Sequence, residues 1–114
     1  MNNLQRLELE TKGVTLSQNE LSIYLEETDL NPTAEYVPSN ESNKVQIYQA
    51  ALSVLESIAN NPTLMKSVKL DDMTVSDFAD SIQSRIDQLE RKVRTMKQNI
   101  QSANESSVFM LFDN

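Results

Sequence analysis

Asp71, Asp72, Asp77 and Asp80 crowd four carboxylates into one short stretch of this 114-residue chain, a density that could hold Ca²⁺. An EF-hand loop needs a glycine at its sharp turn and ligands at alternating positions, and neither is present here. The acids therefore read as enrichment at a helix start, where the helix dipole favours negative charge. Tyr24, Tyr36 and Tyr48 carry phenols that could donate a proton, but the chain has no His to act as partner base, so they read as core or rim packing. The lack of His and Cys also removes the commonest metal ligands and nucleophiles. Gly13, the single glycine, excludes a glycine-rich phosphate loop. No catalytic constellation emerges, so the expectation is a non-enzyme with no cofactor and no metal. The absence of cysteine forbids disulfides, which suits a reducing compartment.

Charge narrows the partners. The chain carries 17 acids against 10 bases, a net charge of −7. Residues 1–43 hold eight acids and two bases, whereas residues 44–114 are almost balanced. Binding nucleic acid through its phosphates needs a basic face, and the chain as a whole is the opposite. Arg85, Arg91, Lys92, Arg94 and Lys97 form a local basic run, set against Asp87 and Glu90. No aromatic is interleaved to stack on bases, so the run reads as a solvated helix face or one that meets the acidic surface of a neighbouring chain. No stretch approaches the ~18 apolar residues of a membrane span, and no signal-peptide pattern is recognisable.

Three helix starts carry their own capping chemistry. In Leu16-Ser17-Gln18-Asn19-Glu20-Leu21, Ser17 can cap, Glu20 follows three residues on, and Leu16 can staple to Leu21. That helix should end near Leu30, ahead of Asn31-Pro32. A turn-rich connector over 31–40 leads to Ser39 or Asn40 as cap of a second helix from about Glu41 to Ala59. Its apolar positions (Val45, Tyr48, Ala51, Leu52, Leu55, Ile58 and Ala59, widened by Ile47, Ala50 and Val54) mark it as the most buried element. Asn60-Asn61 ends it, and Pro62 suits the start of a short turn through Met65. Thr74 can cap the third start, with Met73 stapled to Phe78. The Met1–Lys12 segment reads as a short helix closed by Gly13 in a left-handed conformation, with a strand as the alternative. The methionines read as gap fillers at interfaces.

From Thr74 the helical pattern runs to about Ala103, about 45 Å at ~1.5 Å per residue. Asp87–Arg91 and Glu90–Arg94 are spaced for i,i+4 pairs in the favourable order. Ile82, Ile86, Leu89, Val93, Met96 and Ile100 repeat at steps of four and three, a heptad seam. A helix this long projects beyond the core a small chain can build. Ile86, Leu89, Val93, Met96 and Ile100 are therefore expected at a subunit interface. Beyond a polar stretch, Val108, Phe109, Met110, Leu111 and Phe112 form an apolar tail of strand-like composition, expected to be extended and to bind a partner. The expected architecture is all-α: a small helical bundle over residues 1–103 with one long C-terminal helix, then an extended docking tail over 104–114.

The blocks Leu16–Glu27, Tyr48–Pro62 and Met73–Asp77, the last leading into Ile82, Arg85, Ile86 and Leu89, resemble the core helices of head–tail connector (adaptor) proteins of tailed bacteriophages. The resemblance covers about residues 16–95 and rests on helix caps and apolar faces; beyond about Lys97 it does not extend. It implies a ring of identical subunits, commonly dodecameric, bound beneath the portal protein and extending the DNA channel. It further implies docking of a stopper or tail-completion protein, no cofactor, no catalysis and no membrane. The implied location is the virion neck, after assembly in the host cytoplasm. An acidic channel wall would let DNA pass without gripping it, and a ring needs a head-to-tail interface that closes by rotation. The alternatives are a small helical chaperone or regulatory protein dimerising through the 82–100 seam, and a nucleic-acid binder using the 85–97 basic face.

Overall fold

The protein is all-α, with α1 at Asn3–Glu10, α2 at Gln18–Glu27, α3 at Glu41–Ala59, α4 at Pro62–Val68 and α5 at Val75–Phe112. The computed structural model describes residues 1–68 and 72–112, with side chains through residue 103. Among these residues the one β feature is an isolated bridge between Asn2 and Glu35.

α3 is central because its apolar residues surround it. Ile47, Ala50, Ala51, Val54, Leu55 and Ile58 are fully buried. α1, α2, α4 and α5 all pack against it, and α5 does so most extensively. The two longest helices run antiparallel: Glu41 at the start of α3 lies beside Asn99, Ile100 and Ala103, and Tyr48 lies beside Lys92. Facing residues Phe78, Ile82, Ile86, Leu89 and Val93 are each no more than 7% exposed. The seam is thus satisfied inside its own subunit as far as Val93, and its 3.5-residue repeat there is the ordinary apolar stripe of a bundle helix.

Helix ends follow local chemistry. The Asn40 side chain accepts from the Asn43 N–H, capping α3 as expected. Ser17 Oγ accepts from the Glu20 N–H at 3.2 Å, and Thr74 Oγ1 accepts from the Asp77 N–H at 3.0 Å. α4 extends one turn past Met65, to Val68. α2 stops at Glu27 rather than near Leu30, because Asp29 adopts φ +62°. The Leu30 N–H then reaches the Leu25 carbonyl and the Asp29 N–H reaches that of Glu26, the paired bonds of a Schellman stop. α1 is helical, but Thr11 rather than Gly13 caps it. Gly13, at φ +91°, serves the following turn, in which the Val14 N–H donates to the Thr11 carbonyl.

The backbone of α5 remains helical through residue 112, over the segment expected to be extended. Nothing between Ala103 and Phe112 is a helix breaker: the stretch contains neither Gly nor Pro. At ~1.5 Å per residue the 38-residue helix is about 57 Å long, close to the 62 Å longest dimension of the molecule. The 19-residue α3 covers only about half of it.

Candidate functional site

Two polar assemblies fix how the helices meet. In the first, Asn43 of α3 donates through Nδ2 to Asn3 Oδ1 at 3.0 Å and accepts at Oδ1 from the Val37 N–H at 2.9 Å. Asn3 donates in turn to the Asn31 carbonyl at 2.8 Å. The Asn3, Leu4 and Tyr36 N–H groups bond to the Ala34, Pro32 and Met1 carbonyls, so the connector over 31–37 is held against the chain start. Every buried side-chain polar atom among the described residues has a partner.

The second assembly joins α1 to α5. Arg85 donates to the Glu10 carbonyl at 2.7 Å and to the Lys12 carbonyl at 3.2 Å. Its cation therefore sits at the negative end of α1, where carbonyls lack intrahelical partners. Arg6 bonds Glu10 at 3.0 Å and lies over the rings of Tyr36 and Tyr48, while Lys92 Nζ is 4.3 Å from the centre of Tyr48. Burial disfavours the Arg6 charge, but hydrogen bonds to Glu10 and Tyr36 outweigh it and raise its pKa above the usual value. Two members of the basic run, Arg85 and Lys92, thus act within the fold. The sequence singled out Arg85 for its charge, but nothing local marked it as a cap, and Asn3 and Asn43 passed unnoticed among many asparagines.

The residues expected at a subunit interface divide. Ile86, Leu89 and Val93 are 5%, 7% and 7% exposed within one subunit, where they pack as core residues. Met96 and Ile100 are half-buried and pack against the edge of that core. The side chains of Val108, Phe109, Met110, Leu111 and Phe112 lie outside the described residues, as does Asp71 of the acidic cluster. Tyr36 and Tyr48 are buried, Tyr24 is half-buried, and Met65, Met73 and Met96 pack in or against the core.

The exposed face of α2 is acidic, whereas the exposed side of α5 mixes both signs, Asp87 and Glu90 standing beside Arg91 and Arg94. On α2, Glu20, Glu26 and Glu27 are exposed around Ile23, which is 57% exposed. On α5, Arg91 and Arg94 are exposed. The expected pairs Asp87–Arg91 and Glu90–Arg94 do not form. Among the described residues the ion pairs are those of the Met1 amino group with Glu35 and of Arg6 with Glu10, and Asp87 instead accepts from Gln83. No cluster of metal-ligating side chains occurs among the described residues, and none of their helices is long and apolar enough to cross a membrane.

No protein-family model, curated protein or solved structure matches the chain.

Proposed function

We propose that this chain is a structural virion protein, a head–tail connector subunit that forms a ring under the portal protein of a tailed bacteriophage. The ring would extend the DNA channel and offer its far face to a stopper or tail-completion protein. The observation that carries this reading is the length of α5: a helix of about 57 Å whose stripe packs on the core as far as Ile100 among the described side chains, and whose backbone continues to Phe112. Such length suits a subunit that must reach a platform. The net charge of −7 suits a wall along which DNA slides, since like charge repels phosphate within the ~8–10 Å screening length of physiological salt. The resemblance of the capped helices over 16–95 to adaptor proteins supplies the specific place in the virion.

Electron microscopy and mass photometry of the protein, alone and mixed with the portal protein of the same genome, test the proposal. Rings on the portal are the expected result. Monomers or dimers that never bind portal would overturn it. The alternative, a chaperone or regulatory protein dimerising through α5, has lost Ile86, Leu89 and Val93 to the subunit core and retains only Met96, Ile100 and residues beyond them. A nucleic-acid binder using the basic run would lose Arg85 and Lys92 to the contacts they make inside the fold.

A further inference from the structure

We propose that the groove between α2 and α5, floored by α3, takes an extended cationic segment of another protein. The inference goes beyond the connector reading and does not depend on it.

The groove exists because α2 and α5 each pack on α3 without packing on each other. A stripe of the central helix, Gln46, Gln49, Leu52 and Ser53, is therefore only half-buried. Glu27 and Asp29 border the groove at the end of α2, and Val93 and Lys97 border it on α5. With Glu56 of α3 they enclose a space of about 460 Å³, room for a short stretch of extended chain.

Charge selects the occupant. Glu27, Asp29 and Glu56 are exposed, and against them the groove sets the single cation Lys97. None of these four side chains makes an ion pair or a hydrogen bond among the described residues. A cationic segment gains from three carboxylates, whereas an anionic one meets repulsion. The floor selects the conformation. Gln46 donates to the Thr28 carbonyl at 3.0 Å, but the Gln49 amide and the Ser53 hydroxyl have no partner among the described residues. A helix bonds its own backbone groups internally, whereas an extended chain brings unspent N–H and C=O groups to such a floor. Gln49 offers them both a donor and an acceptor. Leu52 gives an apolar contact for one of the alternating side chains.

The test is titration of the full chain with a short peptide alternating Lys and Val, and with its Glu–Val counterpart, followed by fluorescence anisotropy and by amide NMR shifts. The Lys–Val peptide is expected to bind, more weakly as salt rises, with shifts concentrated on Gln46, Gln49, Leu52, Ser53 and Lys97. Glu27→Gln/Asp29→Asn is expected to weaken binding by about tenfold or more; asparagine tolerates the left-handed backbone at position 29. Glu20→Gln/Asp80→Asn removes the same charge away from the groove and is expected to change affinity by less than about twofold. Ser53→Trp obstructs the floor with every carboxylate kept and is expected to abolish binding. Circular dichroism verifies that each variant is folded, and should Ser53→Trp not fold, the two neutralised pairs decide.

A Lys–Val peptide that does not bind overturns the inference. Equal binding of the Glu–Val peptide, or equal loss in the two neutralised pairs, overturns it as well. Shifts scattered over the outer faces of α1 and α2 assign the attraction to net charge alone and also overturn the groove.

Discussion

Asn43 holds together three parts of the chain that are distant in sequence. Its side chain bonds Asn3 of α1 and the Val37 backbone, and its own N–H is spent on the Asn40 cap. Alanine at this position would leave the Asn3 amide oxygen without a partner in a buried place and the Val37 N–H without one in a part-buried place. Each such orphan costs about 1–3 kcal/mol. Asn43→Ala is therefore expected to destabilise the protein by about 2–4 kcal/mol, read as a lower urea midpoint with an unchanged slope. Faster amide exchange over residues 31–37 should accompany it. A change confined to helix α3, or none at all, would mean that the connector is held by its backbone bonds alone.

Helices were legible wherever a cap and an apolar stripe coincided. Asn40, Ser17 and Thr74 are caps, and α3 spans Glu41–Ala59 as its pattern predicted. Stops were harder to read, because they depend on backbone conformation more than on side-chain type. At α2 the Pro32 signal pointed to Leu30, whereas the left-handed Asp29 ends the helix earlier. That geometry favours glycine, which lacks the Cβ clash of L-residues, although aspartate tolerates it better than most. Asp29→Gly is expected to stabilise the protein by up to about 1 kcal/mol, seen as a higher melting temperature; a loss of stability would show that the carboxylate has a partner role. The candidate site was half legible. Heptad spacing located the α5 stripe, but the same spacing serves a seam between subunits and a seam within one, and Ile86, Leu89 and Val93 belong to the second kind. The α2 face escaped notice because Ile23 stands beside the helix's own core residues in sequence and is turned away from them only in space.

The molecule as a whole is a bundle about 28 Å by 18 Å in section and 62 Å long, with the surplus length supplied by α5. Its described apolar core ends at Ile100. A chain stopped after Ala103 is therefore expected to keep its helical spectrum and melting temperature and, if the proposed connector role holds, to lose attachment to the portal. Retained attachment would remove residues 104–114 from the docking role and leave the bundle unaffected; a collapsed bundle would make them part of the fold.

The bond from Arg85 to the end of α1 spans 75 residues of sequence. During synthesis the first helix emerges with its last carbonyls bare and its Leu7 side chain without the floor that α3 later provides. At roughly 5–20 residues per second, α1 waits some seconds for its distant clasp. The nascent amino-terminal half is thus a tethered, half-finished object. A nascent chain that has not yet released Arg85 would expose a segment open to proteases, and the bundle seals only once α5 has emerged past Val93.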